Sequence, residues 1–297
     1  MSALPVSLPR LNASVHDDLW AWAQTAYLAD AAAWQPLCLN GLHLGHIDAK
    51  WRELICRDWH GACAQVSDGL NLEADGWLGI GDGLQHMAFL WKQLGLLHGW
   101  RDERFDVRDS NGQVLFTLER AAFRPLGLQS HAVHLNGWTR QNGEWCVWIG
   151  RRSPHKAVDP NKLDNLVGGG IAEGETPLQA VMRESEEEAG LDLAALAHAA
   201  SGRLKSLRPV PRGLHNEILH LFDAVLPPHI TPENQDGEVA AFTLMPPHEA
   251  AAAMLGGQMM SDAQLVLLDA FLRFGALDAA HPLAVWLRGL VCDEYGA

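Results

Sequence analysis

The segment from residue 168 to residue 191, GGGIAEGETPLQAVMRESEEEAGL, constrains the fold of this chain more than any other. Thr176 followed by Pro177 is typical of a helix N-terminus, and Gly190 is typical of a helix end. The sequence therefore predicts a helix over 176–189, entered through a glycine-rich loop.

One face of this helix is mostly apolar and is expected to pack on a sheet. Its members, spaced by three and four residues, are Leu178, Val181, Met182, Ser185 and Ala189. The neighbouring face carries Glu184, Glu187 and Glu188, and we expect it to be exposed. Like charges at this spacing cost roughly 0.2–0.5 kcal/mol per pair, and anions near a helix C-terminus cost roughly 0.3–1 kcal/mol each. A solvated acidic face explains this poorly, because no Lys or Arg follows four residues beyond the cluster.

A bound divalent cation would remove this repulsion. Convergent carboxylate oxygens suit Mg²⁺ or Mn²⁺, and Mg²⁺ would keep waters and accept phosphate oxygens as its remaining ligands. The three glycines at 168–170 let the backbone approach the helix and its metals closely. The sequence therefore predicts a metal site on the acidic face of the helix.

Composition limits the remaining classes of function. The 297 residues favour two domains, and a net charge of −14 argues against binding to nucleic acid or to an anionic membrane. The five cysteines are scattered without a CxxC pair, which favours free thiols in a reducing compartment. The first eighteen residues contain no apolar signal-peptide core, so we expect a cytoplasmic protein.

The two halves of the chain differ in their patterns. The first half predicts helices over 17–33, 48–56 and 86–97, and strands over 103–107 and 114–119 around an Asn-Gly turn. The second half predicts strands over 132–138, 145–149, 219–225 and 240–244, and helices over 176–189 and 262–274. This order indicates an α/β sandwich rather than a doubly wound sheet. We predict a smaller α+β domain over 1–126, the sandwich over 127–277 and a short helical tail over 278–297.

One long motif links these patterns to a known family. The motif consists of Gly169, then Glu175 after five intervening residues, then Arg183 to Leu191 after seven more, and it resembles the Nudix box over 23 positions. Ser185 departs from the aliphatic residue that is usual there, and it lies on the sheet-facing side, where it affects packing more than chemistry. The resemblance implies the Nudix α/β/α sandwich with a mixed sheet. It also implies hydrolysis of a diphosphate by attack of a metal-activated water on phosphorus.

The resemblance also implies roles for the residues of the box. Glu184, Glu187 and Glu188 would bind Mg²⁺ or Mn²⁺, and Arg183 would orient carboxylates of the box, including Glu175. The residues expected to shape its loop are Gly169, Gly170, Glu175 and Gly190.

Nudix enzymes often supply one more carboxylate, as metal ligand or general base, from a loop that precedes a late strand. Glu238 is the preferred residue here, with Asp236 or Glu217 as substitutes. The expected catalytic residues are therefore Glu187, Arg183 and Glu238.

The flanks at 148–171, 231–245 and 262–277 resemble one branch of the family, the diphosphatases of thiamine diphosphate and its damaged analogues. Members of that branch carry an extra N-terminal domain. The resemblance implies that thiamine diphosphate or an oxidised analogue is hydrolysed to the monophosphate and phosphate.

Four residues beside the glycine-rich loop are candidates for substrate binding. Arg151, Arg152 and Lys156 would hold the diphosphate, or would be solvated charges at a strand end. Asp164 would orient one of these cations, or would cap a turn.

Several alternatives stay open. The same chemistry on ADP-ribose or a nucleotide sugar fits the box equally well. A non-catalytic Nudix ligand-binding module would commonly have lost box carboxylates, and this chain has lost none. Isopentenyl diphosphate isomerase chemistry needs an active-site cysteine, whereas Cys146 is expected to be a core thiol. A homodimer is one of the assembly states left open.

Overall fold

The computed structural model describes residues 4–27, 33–66, 69–156 and 158–292. The helices are α1 Ala13–Tyr27, α2 Ala49–Asp58, α3 Gly76–Gln93, α4 Phe123–Leu126, α5 Pro177–Ala189, α6 Pro247–Leu255, α7 Ser261–Arg273 and α8 Pro282–Gly289. None of the helices in these ranges has both the length and the apolarity that a membrane span needs.

The strands fall into three sheets. Those of the first half are β1 Gln35–Leu39, β2 Leu42–Ile47, β3 Ala62–Val66, β4 Gly69–Glu73, β5 Arg104–Arg108 and β6 Val114–Glu119. Those of the second half are β7 Ser130–Gln141, β8 Glu144–Arg152, β9 Leu163–Asp164, β10 Val167–Gly170, β11 Ala197–Val210, β12 Gly213–Val225 and β13 Val239–Met245.

The seven strands of the second half form one mixed sheet. Its order is β11-β12-β7-β8-β13, with β10 added on β7 and β9 on β8. Strands β12 and β7 are parallel, and their neighbours pair antiparallel. The first ten residues of β7 are all buried, because both faces of the sheet are covered.

Two apolar clusters cover the two faces of this sheet. On one face, α5 packs through Val181 and Ala189 against Val133 and Leu135. On the other face, residues of α1, α6, α7 and α8 form a larger cluster with the sheet. This arrangement confirms the α/β/α sandwich with a mixed sheet.

The first helix packs with the last helices of the chain rather than with the N-terminal sheet. Leu19 of α1 is fully buried in the cluster that contains α7 and α8. The backbone N–H groups of Leu8 and Leu11 donate to the carbonyls of Phe274 and Ala276, both at 2.9 Å. The apolar face of α1 therefore packs against the domain predicted over 127–277, although α1 itself lies within the domain predicted over 1–126. Residues 28–32 of the helix predicted over 17–33 lie outside the described residues.

The first half contains a sheet that the sequence analysis did not predict. Strands β1 to β4 form it in the order β2-β1-β4-β3, each only five or six residues long. Helix α3 begins at Gly76, ten residues before the predicted start at residue 86, because four glycines within its first eight residues weaken the helical pattern there. Two of them allow close packing, since a side chain on Gly81 or Gly83 would press on Phe116 or Trp59. The predicted hairpin around Asn111 and Gly112 is confirmed as β5–β6.

Candidate active site

Helix α5 begins and ends where the sequence predicts. The Thr176 hydroxyl accepts from the Gln179 N–H at 3.3 Å, and the Gln179 side chain accepts from the Thr176 N–H at 2.9 Å. Gly190 ends the helix with φ 63°, a left-handed conformation that favours glycine. These caps fix the rotation of the helix and hence the direction of its carboxylates.

The three box glutamates do not share one exposed face, which corrects the sequence-based expectation. The exposed fraction is 5% for residue Glu188, while the side chains are 14% exposed at Glu184 and 51% at Glu187. The Gly168 N–H donates to Glu188 Oε2 at 3.0 Å, and a β-carbon on Gly169 would overlap the Glu184 carboxyl. The glycine loop therefore draws two of the three carboxylates inward.

Arg183 offsets the repulsion along the acidic helix. It binds Glu175 through two hydrogen bonds of 2.9 Å, and its Nη1 also contacts Glu184 at 2.9 Å and Glu187 at 3.1 Å. This is the role that the resemblance to the box implied for Arg183, although the repulsion expected from the glutamates alone left its charge out. Glu187 is thus held by Arg183 at the surface, beside Glu184 but outside the group of carboxylates that surrounds Glu188.

Glu188 is the most deeply buried acid of the helix. Burial raises the pKa of Glu188 to about 8, and the nearby charge of Glu184 adds to this shift. Burial also raises the pKa of Glu184. The nearest cation to Glu188 is Lys156, whose Nζ lies 3.6 Å from Oε1 and also pairs with Glu238. The interior end of α5 therefore presents a carboxylate that a cation would stabilise.

A loop before β13 brings two further carboxylates to Glu188. One oxygen each from Glu188, Asp236 and Glu238 lie within 4.8 Å of one another. The Ser153 N–H donates to the Glu238 carbonyl at 2.8 Å, which ties this loop to the end of β8. The cleft between them holds about 10 Å³, room for one water or one ion.

The donors of this cluster fit a hard divalent cation. All of them are carboxylate oxygens, the ligands that Mg²⁺ and Mn²⁺ prefer. Glu188 supplies the buried oxygen, while Asp236 is exposed and Glu238 is one-third exposed, which leaves one side open to a substrate.

The two neighbouring arginines at the end of β8 point to different places. Arg152 lines the cleft and its Nη1 donates to Asp164 Oδ2 at 2.8 Å. Arg151 does not reach the cleft, because successive side chains of a strand face opposite sides, and its Nη1 donates to the Asn161 carbonyl at 2.8 Å. Of the three predicted cations, Arg151 therefore lies outside the cleft, whereas Arg152 and Lys156 line it.

Glu217, the substitute base of the sequence analysis, lies in a different cluster. It forms a second group of three acidic or imidazole ligands with His215 and Asp262, all buried. Arg124 pairs with Glu217 at 3.1 Å and Arg208 pairs with Asp262 at 2.9 Å. Against the effect of burial, Arg124 and His215 hold the pKa of Glu217 below its usual range. Because its charges are already compensated, this group joins α4, β12 and α7 rather than holding a cation.

The first half of the chain also reaches the cleft, which sequence reasoning missed. Arg101, in the segment after α3, places Nη1 3.4 Å from Glu238 Oε1. Phe105 of β5 lies against Gly170, so closely that a side chain there would overlap the ring. Nothing in the spacing of the segment from Trp100 to Glu103 indicated this contact.

Known proteins similar to this chain agree with this fold and motif. A family model described as NUDIX domain matches residues 132–263. The protein named Nudix hydrolase 20, chloroplastic, of Arabidopsis thaliana is 31% identical over 258 residues, which cover 81% of this chain and 68% of the relative. The protein named Nudix hydrolase 24, chloroplastic, of the same plant is 33% identical over 200 residues, 66% of this chain and 55% of the relative. The chain belongs to the Nudix hydrolase family.

One solved structure shows a more distant likeness. The protein DR0079 of Deinococcus radiodurans shares 24% identity and a TM-score of 0.44, over 56% of this chain and 98% of its own.

Proposed function

We propose that this protein is a metal-dependent diphosphatase that hydrolyses thiamine diphosphate, or an oxidised analogue of it, to the monophosphate and phosphate. One observation supports the hydrolase activity most strongly. The buried Glu188 carboxylate lies close to those of Asp236 and Glu238. Arg152 and Lys156 line the same cleft. The resemblance of the flanks at 148–171, 231–245 and 262–277 supports the thiamine substrate. An ADP-ribose or nucleotide-sugar substrate is the alternative that the same cleft would serve.

Glu184 and Glu188 would hold Mg²⁺ or Mn²⁺, with Glu238 or Asp236 completing the site. Such an ion would lower the pKa of water and neutralise phosphate charge as it develops in the transition state. Glu187 would join only after leaving Arg183, whose Nη1 lies 3.1 Å from it.

The cations of the cleft would bind the diphosphate. Lys156 now pairs with Glu188 and Glu238, and Arg152 pairs with Asp164. A divalent cation on the carboxylates would free the Lys156 ammonium for a phosphate oxygen. Glu238, one-third exposed at the open side of the cleft, would accept a proton from water.

Two other classes are less well supported. The box keeps every acidic residue, whereas non-catalytic modules commonly lose some. Isomerase chemistry lacks its thiol, because Cys146 is only 3% exposed and burial raises its pKa. The cytoplasmic location remains a prediction, since the two plant relatives are named chloroplastic.

The test is product release with Mg²⁺ across a matched panel of substrates. The panel contains thiamine diphosphate, oxythiamine and oxothiamine diphosphates, ADP-ribose and a nucleotide sugar. We expect the highest kcat/KM within the thiamine series, with phosphate and the monophosphate as products. Preference for ADP-ribose would contradict the proposed thiamine substrate but would agree with the proposed hydrolysis of a diphosphate. No product from any diphosphate would contradict the proposed function.

A further inference from the structure

A second cavity lies where the first half of the chain meets the β11–β12 hairpin. Its volume is about 350 Å³, within the range of roughly 300–1,000 Å³ that small-molecule sites occupy. Trp51, Leu96, Leu97 and Pro211 provide most of an apolar lining. It shares no lining residue with the cleft at Glu188, so it is a separate place on the molecule.

The polar side chains of this cavity all carry or can carry positive charge. Lys50, His98 and Arg212 line it, and none of the described residues in the lining is acidic. None of the three has an ion-pair partner within the described ranges, although the whole chain has 36 acidic and 22 basic residues. Lys50 lies over the Trp51 ring, with Nζ 4.9 Å from the ring centroid. Basic groups without a carboxylate partner around an apolar cavity in an acidic protein indicate an anionic ligand.

The Arg212 guanidinium lies among other positive charges. Burial lowers the pKa of its guanidinium, and the charges of Arg124 and Arg120 lower it further. Without a carboxylate beside it, this guanidinium sits in a locally positive field that an anion would relieve. The unfavourable electrostatic free energy of the Arg212 guanidinium would be reduced by a bound anion.

The walls around Arg212 are preformed. It occupies the turn between β11 and β12, where Val210 pairs with Gly213. Gly213 presses on the Arg124 carbonyl so closely that a β-carbon would overlap it, and Gly99 lies against the Arg212 guanidinium. Close backbone packing on both sides keeps the turn beside the cavity and reduces the entropy lost on binding.

We propose that this cavity binds a small organic anion, with its apolar ring or chain against Trp51 and Leu97 and its phosphate or carboxylate between Lys50 and Arg212. A planar guanidinium fork and an ammonium suit either anionic group. The segment that lines the cavity at 95–98 continues to Arg101, which contacts Glu238 in the cleft. A ligand here would therefore sit next to a segment that reaches the candidate active site.

The test is calorimetric titration of the full chain, in EDTA, with phenyl phosphate, benzoate and inorganic phosphate. We expect at least one of the two organic anions to bind, and inorganic phosphate to bind at least about tenfold more weakly because it lacks the apolar body. Comparison of phenyl phosphate with benzoate shows which anionic group is preferred.

Four variants locate the binding site. Arg212→Gln and, as a second variant, Lys50→Gln should weaken binding at least about tenfold. Arg140→Gln removes an exposed arginine of the β7–β8 hairpin, and Lys156→Gln removes the cation of the Glu188 cleft. We expect both of these to bind as the unaltered protein does.

Three results would overturn the proposal. They are no organic anion bound up to about 10 mM, unchanged affinity in both Arg212→Gln and Lys50→Gln, or loss of binding in Lys156→Gln alone, which would place the ligand in the cleft. Since no turnover is measured, the outcome is independent of the proposed diphosphatase activity.

Discussion

At the scale of single residues, Lys156 and a divalent cation would compete for the same carboxylates in the cleft. Lys156 is 10% exposed at its side chain and pairs with Glu188 and Glu238. Burial lowers the pKa of Lys156, while Glu188 raises it. The free protein thus holds its own ammonium where we place a divalent cation.

Replacement of Lys156 by Met should tighten metal binding. Without the ammonium, a cation no longer displaces an ion pair, and we expect Mn²⁺ affinity to rise about tenfold. Calorimetric titration without substrate measures this. Lys162→Met is the matched control, since Lys162 pairs with Asp159 at 3.3 Å outside the cleft lining. Weaker or unchanged Mn²⁺ binding in Lys156→Met would contradict the competition.

A buried pair of imidazoles makes stability sensitive to acid. His131 Nδ1 lies 3.1 Å from His220 Nε2, and burial lowers their pKa values to about 4 and about 3. Below about pH 6.5 the unfolded chain binds protons that the folded chain does not, so stability is lost as pH falls toward 4.

The corresponding variant should be less sensitive to acid. Between about pH 7 and pH 5, His220→Gln should lose about 2 kcal/mol less unfolding free energy than the unaltered protein. Urea unfolding at the two pH values measures the difference, and exposed His229→Gln is the control. Equal losses in all three proteins would show that the pair is not the cause.

Residue identities were easier to predict than residue directions. The spacing of the box identified Glu184, Glu187 and Glu188, but it could not show that Arg183 keeps Glu187 at the surface. Likewise the sequence pairs Arg151 with Arg152 as neighbours, while the alternation of a strand separates them. Directions depend on tertiary partners that adjacent positions do not reveal.

At the scale of elements, the glycine loop and the acidic helix work as one unit. The strand β10 pairs with β7 through Gly168, Gly169 and Gly170, directly in front of α5. Gly169 has no side chain where the Glu184 carboxyl lies. The glycine is therefore needed for a close approach and not for a special backbone conformation.

Gly169→Ala should displace Glu184 and lower kcat about 100-fold, because small displacements of reacting groups have large effects on rate. Steady-state hydrolysis with Mg²⁺ measures this, alongside circular dichroism to verify folding. Gly289→Ala is the control, since a β-carbon at Gly289 meets nothing within 4 Å. A fully active Gly169→Ala would mean that Glu184 does not need its present position.

Elements with strong signals were predicted well. Capping residues located α5 to within one residue, and apolar runs located β7, β8, β12 and β13. Strands β1 to β4 were missed because they are short and include Pro36, Gly45 and Gly69. The 14-residue strand β11 was missed because most of its residues are exposed or only partly buried, so it lacks an apolar run.

At the scale of the whole molecule, the two ends of the chain close the sandwich together. Helix α1 contacts α8 and α6, and the buried Leu19 lies in their common cluster. From sequence alone, α1 was assigned to the N-terminal domain because it lies next to it in the chain. The apolar pattern of a helix predicts that one face is buried, but it does not predict which distant surface that face packs against.

Leu19→Ala should destabilise the protein by about 2–5 kcal/mol, as expected for a fully buried leucine. Denaturant unfolding gives the value. Leu78→Ala is the matched control, since Leu78 is 77% exposed and should change stability by less than about 0.5 kcal/mol. A small effect at Leu19 would mean that α1 does not complete the core.

The most direct test of the account is phosphate release from thiamine diphosphate, as a function of Mg²⁺ concentration, by Glu188→Gln and Glu186→Gln. Both replace one carboxyl group of α5 by an amide, but Glu188 is buried in the cleft and Glu186 is exposed. We predict that Glu188→Gln loses about two orders of magnitude in turnover, and that Glu186→Gln retains the activity and metal dependence of the unaltered protein. Full activity in Glu188→Gln, or equal losses in both variants, would contradict the assignment of this carboxylate as the centre of the site.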